Sequence, residues 1–317
     1  MRLATLPGAT PDGRLVAVSE DRRTCRPLAC GTMLAWLEGG DAGLGAAEPF
    51  EEGRTLACLP RAWQFLDGSA YVNHVDLVRR ARGAEMPERF WHDPLMYQGL
   101  SVFLPPRAPI PAGEGWGADL EGEVAVLLGP VARGASADAA AAAIRAVCLL
   151  NDVSLRGLIA DELAKGFGFV HGKPASALSP IAVTPDALPG WDGARLAATL
   201  CADVNGAALG RVASGEDMTF GFPELIAHAA KTRELPAGTV IGSGTVSNRD
   251  AEGGAGRTVA DGGRGYACLA EQRMVETIRG GTAATPFLTP GDRVALWMED
   301  GAGGDLFGRI EQDVEAA

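Results

Sequence analysis

The sequence predicts an α+β fold that is rich in β-strands. Strand patterns outnumber helical ones along the 317 residues, and they do not alternate regularly with helices, which argues against a doubly wound parallel sheet. The dipeptide Asn205-Gly206 lies between two apolar runs and favours the tight turn of an antiparallel hairpin. We therefore expect a mixed, β-rich core with a few helices packed on it.

The first 60 residues are predicted to form a small N-terminal domain. Short extended runs such as RLVAVSE alternate there with glycine and proline, and TMLAWLE has the pattern of one helix. From residue 61 the predicted elements become longer. We therefore divide the chain into a small β-rich domain, 1–60, and a larger domain, 61–317.

Three further helices are predicted in the larger domain. The segment 70–82 has apolar residues at helical spacing, 136–150 is rich in alanine with Ser136 as its N-cap, and 223–235 ends at a proline and a glycine. Strands are predicted over 120–128, 198–210 (the hairpin), 266–278, 292–300 and 305–314.

Composition restricts the class of function. The 47% hydrophobic content suits a globular core, and no apolar run approaches the roughly 20 residues that span a bilayer. The first residues lack a signal-peptide pattern, so we expect a soluble, cytoplasmic protein that does not bind membranes. The net charge of -12 disfavours nucleic acid. The 6 cysteines are scattered without a C-x-x-C pair, so neither a disulfide framework nor a zinc ribbon is expected.

The segment DLEGEV contains closely spaced carboxylates. Side chains two residues apart on a strand share a face, so Glu121 and Glu123, with Asp119 as a third candidate, are expected to project together. Adjacent like charges are unfavourable unless a cation lies between them, and a hard divalent ion prefers oxygen ligands. The alternative is a solvated strand end.

Two other segments carry candidate site residues. Asp152 follows an apolar run in NDVSLR, where the alternative is a helix cap with an exposed ion pair to Arg156. In LDGSAYVNH, Asp67 precedes His74 by seven residues, and a lone histidine is more often structural than catalytic. Only 3 lysines are present, at 165, 173 and 231, which weakly favours a chemical role for a lysine in a glycine-rich setting.

In combination, these motifs resemble the fumarylacetoacetate hydrolase family from about residue 61 to the end. The order is Asp-x6-His, D-x-E-x-E, N-D-x-S-x-R, a Gly-Lys and a Gly-Thr. The resemblance implies a fumarylacetoacetase-like mixed β-sandwich roll in which 61–317 is the catalytic domain. It also implies a divalent metal site at Asp67, Glu121, Glu123 and Asp152, with Mg²⁺ as the expected ion and Mn²⁺ or Ca²⁺ as alternatives.

The resemblance assigns catalytic roles as well. His74 matches the general base, and Glu271, expected on a buried strand, matches the glutamate that orients it. Arg156 and Lys173 match the cations that stabilise the departing enolate. Expected substrate contacts are Tyr97, Thr245 and Arg82, the last with a spacing shifted by about one residue; its alternative is a helix-surface charge.

Some positions that shape the substrate site depart from the family pattern. Ile159 stands where many members have glutamine, Gly157 where aspartate is common, His171 where leucine is frequent, and Leu100 where an arginine often follows the tyrosine motif. The residues matched to the chemistry are retained. The exact substrate is therefore the least determined part of the interpretation.

The implied function is metal-dependent hydrolysis of a carbon–carbon bond in a β-diketo acid of the fumarylacetoacetate or acylpyruvate type, in aromatic amino-acid or aromatic-compound catabolism. The first alternative is a 2-oxo acid decarboxylase, tautomerase, hydratase or isomerase on the same scaffold. A Schiff-base lyase using Lys173 or Lys165 and a non-catalytic binding protein are the others. The partner is expected to be a diketo or 2-oxo acid, and a homodimer is implied by the family alone. The segment 82–94 is a candidate lid.

Overall fold

The computed structural model describes residues 1–81, 83–250 and 254–317. In these ranges the strands are β1 Arg2–Leu6, β2 Arg14–Val18, β3 Thr24–Pro27, β4 Glu48–Pro49, β5 Gln64–Gly68, β6 Met96–Gly99, β7 Ile110–Ala112, β8 Ala118–Asp119, β9 Gly122–Leu128, β10 Ile144–Asn151, β11 Ser154–Leu155, β12 Ala177–Leu178, β13 Ile181–Val183, β14 Thr199–Val204, β15 Ala207–Ala213, β16 Thr239–Gly242, β17 Arg293–Glu299 and β18 Ile310–Ala316. The α-helices are α1 Met33–Leu37, α2 Val72–Ala81, α3 Ala137–Ala142, α4 Arg156–Lys165, α5 Phe222–Ala229 and α6 Leu269–Gly280. The fold is α+β and rich in strands, as predicted.

An 11-stranded sheet forms the centre, in the order β4-β3-β2-β1-β13-β10-β9-β16-β5-β6, with β12 paired to β10. Its pairs are antiparallel except for β16 and β5, which are parallel. A 5-stranded sheet, β15-β14-β17-β18-β7, and a short β11-β8 pair complete the β-structure. The predicted hairpin is confirmed: β14 and β15 are joined by Asn205 and Gly206, whose φ angles of 53° and 77° suit a tight turn.

The N-terminal strands extend the central sheet. Strand β1 pairs with β13 antiparallel, so β1 to β4 continue the sheet that contains β9, β10 and β16. The predicted boundary at residue 60 thus separates two chain segments that share one sheet. Whether 1–60 is a domain in its own right stays a prediction.

Both faces of the central sheet are covered. Alternate residues of β9 belong to two different hydrophobic clusters, with Val124 and Val126 in one and Ala125 and Leu127 in the other. Strands buried on both sides are almost continuously apolar, which explains the run EVAVLL. None of the described helices combines the length and hydrophobicity needed to cross a membrane.

The predicted helix over 136–150 is only partly correct. Ser136 caps α3 by accepting a hydrogen bond from the Ala139 backbone, but the helix ends at Ala142. The remainder, from Ile144 to Asn151, is strand β10, which pairs along its length with β9. Burial against a neighbouring strand overrides the local helix propensity, because tertiary packing contributes more than propensity does.

The predicted strand over 266–278 is wrong. Helix α6 occupies Leu269–Gly280, begins at Cys268, whose Sγ accepts from the Glu271 backbone, and ends at Gly281 with a φ of 80°. Its buried residues include Leu269 and Val275, which suit a helical face.

Two other elements differ from their predicted limits: α5 ends at Ala229 and not at residue 235, and the last strand begins at Ile310 and not at residue 305. The helix predicted over 70–82 is confirmed as α2 over the described residues up to Ala81.

Candidate active site

A cavity of about 170 Å³ lies where β5, β10 and β16 end and β9 begins. Strands β5, β10 and β16 point one way and β9 points the other way, so the ends of the first three and the start of β9 meet at one end of the sheet. Of the predicted site residues, those that line the cavity are Asp67, His74, Tyr97, Glu121, Glu123, Arg156, Lys173 and Thr245. The structure therefore brings together most of the residues that the sequence predicts for the site.

Three carboxylates form the centre of the site. One oxygen of each of Asp67, Glu123 and Asp152 lies within 4.8 Å of the others, and all three residues are buried. Gly242 pairs with Asp67 on the neighbouring strand, and a Cβ there would lie 2.3 Å from the Asp67 Oδ1 atom and 3.0 Å from the Glu123 Oε2 atom. The absence of a side chain at Gly242 therefore leaves room for the two carboxylates.

The electrostatics of this cluster are unfavourable in the protein alone. Both carboxylate oxygens of Glu123 are buried without a hydrogen-bond partner among the described residues. Burial, followed by the charges of Asp67 and Asp152, raises the pKa of Glu123 well above its ordinary value. Burial and the charge of Asp152 raise the pKa of Asp67 to about 7. Such a set favours an added positive charge.

These carboxylates fit a hard divalent cation. The donors are all oxygen atoms, which Mg²⁺, Mn²⁺ and Ca²⁺ accept, and the unpartnered oxygens of Glu123 have free lone pairs. Asp67, Glu123 and Asp152 would hold such an ion, with Glu121 beside them. The identity of the ion stays a prediction.

Glu121 is held differently from the other three. Its Oε2 atom accepts a hydrogen bond of 2.6 Å from Lys173 Nζ, and its Oε1 atom accepts one from Arg156. Burial would raise the pKa of Glu121, but the Arg156 and Lys173 charges outweigh it and lower that pKa. Glu121 thus stays ionised, and it joins the carboxylates to the two cations.

Lys173 lies at the edge of the carboxylate cluster. Its ammonium group donates to Asp152 Oδ2 at 2.5 Å as well as to Glu121. Burial would lower the pKa of Lys173, but the charges of Asp152 and Glu121 outweigh it and raise that pKa. A fully protonated amine is not a nucleophile, which disfavours Schiff-base chemistry at this lysine. Lys165 is exposed at the end of α4.

Asp152 is buried and accepts hydrogen bonds from several side chains. Tyr97 donates from its hydroxyl to Asp152 Oδ2 at 2.6 Å, and Ser176 donates to Oδ1 at 2.6 Å. Helix α4 begins after Leu155, and Arg156 pairs with Asp119 and Glu121. The alternative interpretation of Asp152, a helix cap with an exposed ion pair to Arg156, is therefore wrong.

A histidine–glutamate pair borders the cavity. His74 on α2 places its Nδ1 atom 2.8 Å from Glu271 Oε2 in the first turn of α6. The other Glu271 oxygen accepts from Ser247 at 2.9 Å, and Ser247 in turn accepts from the Asn73 amide at 2.6 Å. Glu271, Ser247 and Asn73 are buried, whereas the imidazole borders the cavity. With Nδ1 donating to the carboxylate, Nε2 is the atom left with a lone pair.

Two of the three predicted substrate contacts border the cavity. Tyr97 and Thr245 line the cavity, with Tyr97 also bonded to Asp152. Arg82 lies outside the described residues. Ile159 and Phe169 contribute apolar side chains to the wall of the cavity. The Phe169 ring packs edge-on against the Tyr97 ring, with 5.4 Å between the two ring centroids.

Several contributors were not predicted. Asp119 is buried, accepts from Arg156 Nε at 3.0 Å, and accepts from the backbones of Leu269 and Ala270 at the start of α6. The D-x-E-x-E pattern suggested Asp119 only as a third metal candidate. Ser176 and Ser247, like Asn73, carry no spacing signal, because their partners are distant in sequence.

Comparisons with known proteins identify the relatives of this chain. The sequence model described as "Fumarylacetoacetate (FAA) hydrolase C-terminal" matches residues 64–315. No curated protein sequence matches the chain. Similar solved structures include a putative HpcE protein from Mycobacterium smegmatis (21% identity, TM-score 0.68), a 5-carboxymethyl-2-hydroxymuconate delta-isomerase from the same organism (22%, 0.63), and a fumarylacetoacetate hydrolase from psychrophilic Exiguobacterium antarcticum (16%, 0.66). Each covers 100% of both chains, and at such identities the likeness establishes the fold.

Proposed function

Because the chain belongs to the fumarylacetoacetate hydrolase family, we propose that it hydrolyses a carbon–carbon bond in a β-diketo acid of the fumarylacetoacetate or acylpyruvate type. The observation that carries this proposal is the 2.8 Å contact between His74 Nδ1 and Glu271 Oε2 at the edge of the carboxylate cavity. A base of this kind is needed to activate water, whereas reactions that only shift a proton or release carbon dioxide need no attacking water.

The His74–Glu271 pair supplies the proton chemistry. Glu271 fixes the ring orientation through Nδ1, which leaves Nε2 as the base that accepts a proton from water. The negative charge of the carboxylate then stabilises the imidazolium that results. Ser247 keeps the carboxylate in place from behind.

A divalent ion is part of the proposal. Asp67, Glu123 and Asp152 would hold Mg²⁺, or alternatively Mn²⁺ or Ca²⁺, with Glu121 beside them as the fourth predicted ligand. When bound, the ion would act as a Lewis acid toward the oxygens of the diketo acid. Arg156 and Lys173 would stabilise the negative charge on the departing enolate, since both remain cationic. Thr245 and Tyr97 would contact the substrate.

An alternative function is a tautomerase, isomerase, hydratase or decarboxylase of 2-oxo acids at the same site. Its support is the similarity to the delta-isomerase structure, which has the same fold. These reactions also pass through an enolate, so Arg156 and Lys173 would keep their roles. They differ in that water does not attack a ketone carbonyl, so no carbon–carbon bond is cleaved by hydrolysis.

Product identification separates the two. The protein is incubated with Mg²⁺ and, in turn, fumarylacetoacetate, an acylpyruvate and oxaloacetate. We expect hydrolytic cleavage of a diketo acid, its loss on chelation, and a fall of about 100-fold or more in His74→Ala, the usual contribution of a general base. His171→Ala is the matched control, because the His171 side chain is 81% exposed. Release of carbon dioxide alone, with full activity in His74→Ala, would contradict hydrolysis.

A further inference from the structure

A second cavity adjoins the candidate active site. It has a volume of about 370 Å³ and lies between α2, α4 and α6. For comparison, an apolar cavity of about 150 Å³ accommodates benzene, so this space has room for a ring or a medium-length alkyl chain. The proposed hydrolysis has no role for it.

The lining of the second cavity is mainly apolar. Val78 comes from α2, Ile159 and Leu163 from α4, Met274 from α6, and Phe287 from the segment after it. None of its described lining residues is acidic. Burial of hydrocarbon is therefore the interaction this lining offers most.

The cations among the described lining residues, Arg156 and Arg273, already have partners. Arg156 is bonded to Asp119 and Glu121. The Arg273 guanidinium lies 4.3 Å from the centroid of the Phe287 ring and also donates to the Thr285 carbonyl. A second carboxylate on a ligand would thus have to compete for donors that are engaged.

The two cavities meet at shared residues. Arg156 and Ile159 border both the carboxylate cavity and the second one. Ile159 presents hydrocarbon at this junction, so nothing in its side chain would hold a polar group that passes from one cavity to the other. A substrate anchored at the carboxylates could extend past Ile159 between the helices.

We propose that the second cavity receives an apolar alkyl or aryl substituent of the substrate, so that the substrate is a 2-oxo or diketo acid with a hydrocarbon end and not a second carboxylate. This inference rests on the proposed function for the location of the substrate's oxygens. It concerns binding, however, and can be tested without turnover.

The test is a calorimetric binding series with the Mg²⁺-loaded protein and straight-chain 2-oxo acids from pyruvate to 2-oxooctanoate. These compounds lack a β-diketone and are not hydrolysed. We expect the affinity to rise roughly fourfold per methylene over several carbons, the value for hydrocarbon burial. 2-Oxosuberate, with the same length and a terminal carboxylate, is expected to bind at least about tenfold more weakly than 2-oxooctanoate.

A variant that fills the second cavity provides a second test of the inference. Ala160 is exposed on α4 and borders the cavity, so Ala160→Trp should occupy the space and flatten the chain-length series. Asp161→Trp, at the next position and outside the lining, should leave the series unchanged. A flat series (complete absence of binding included), tighter binding of 2-oxosuberate, or an Ala160→Trp series like that of the original protein would each overturn the inference. A steep series with no hydrolysis of any acylpyruvate would instead contradict the proposed function and leave this inference standing.

Discussion

Glu123 is the residue that most clearly indicates a bound cation. Its carboxylate is buried beside Asp67 and Asp152 without a hydrogen-bond donor among the described residues. Buried polar atoms in proteins are nearly always paired, and an ionised carboxylate is the most unfavourable group to leave unpaired. Metal binding is the simplest arrangement that satisfies it.

The raised pKa of Asp67 gives a prediction for stability and pH. Its pKa is about 7 in the folded protein against an ordinary 3.8. Between these values the folded, metal-free protein binds a proton that the unfolded chain has released, so the free energy of unfolding falls as the pH rises from about 4 to about 7. The melting temperature of chelator-treated protein should therefore be lower at pH 8 than at pH 5.

Addition of Mg²⁺ at pH 8 should reverse this loss. An ion at about 100 times its Kd stabilises the folded state by about 2.7 kcal/mol, and Asp67→Asn should show a weaker dependence on both pH and Mg²⁺. Scanning calorimetry at the two pH values measures both effects. Equal melting temperatures with and without Mg²⁺ at pH 8 would argue against the site.

Ser247 is predicted to position the proposed general-base pair, His74 and Glu271. Ser247→Ala leaves Glu271 Oε1 and the Asn73 amide without their partner, and we expect a fall of about tenfold in kcat together with a shifted pH profile. Ser179→Ala is the matched control, since Ser179 is equally buried and its hydrogen bonds are to the backbones of Leu149 and Ile181, not to the His74–Glu271 pair. Ser247→Thr should restore the profile. If both alanine variants lose stability but neither changes the pH profile, Ser247 is only structural.

At the scale of elements, Asp119 joins two helices to the site. It bonds Arg156 at the start of α4 and the first backbone amides of α6, the helix that carries Glu271. A carboxylate at a helix N-terminus is also favoured by the helix dipole. One buried side chain thus fixes a cation and the helix that carries Glu271.

Asp119→Ala should be strongly destabilising. It leaves Arg156 with one fewer carboxylate and uncaps α6, and removing one partner of a buried ion pair costs about 3 kcal/mol or more. Urea denaturation measures the change. Asp138→Ala, in the exposed first turn of α3, is the control and should cost under about 1 kcal/mol. Similar losses in both variants would contradict the role given to Asp119.

Two errors in the sequence prediction have the same physical origin. Residues 144–151 follow an alanine-rich helix and have helix-compatible composition, yet they form β10 because β9 offers a full set of backbone partners. The apolar pattern of residues 266–278 predicts a strand, yet Asp119 and Cys268 accept hydrogen bonds from the first amides of 269–280, and this segment forms a helix. In both cases the partner that decides the secondary structure is either distant in sequence or lies outside the apolar pattern of the segment itself.

At the scale of the whole molecule, the N-terminal segment is part of the central structure. Strand β1 is hydrogen-bonded to β13, and Leu3, Leu15 and Trp36 are buried in the same cluster as Phe65 and Val240. Removing 1–60 would therefore expose both a sheet edge and an apolar face.

We expect the fragment 61–317 to be insoluble or expanded when it is produced alone. Co-expression with the fragment 1–60 as a separate chain should restore a soluble complex, because the contacts do not require a covalent link. Size-exclusion chromatography and near-ultraviolet circular dichroism follow both cases. A soluble, native-like 61–317 that binds Mg²⁺ would show that the first 60 residues are dispensable.

The sequence by itself determined the fold class, the hairpin at Asn205-Gly206, helix α2 and the family, because these depend on local pattern and on the order of short motifs. It also named most of the residues that meet in the cavity. Only the tertiary structure decided that Glu121 is bonded to the two cations and lies outside the three-carboxylate cluster, that Glu271 is on a helix, and that Asp119, Ser247 and Asn73 support the site. The reason is that each of these depends on partners distant in sequence, which are brought together by the packing of the sheet and its helices.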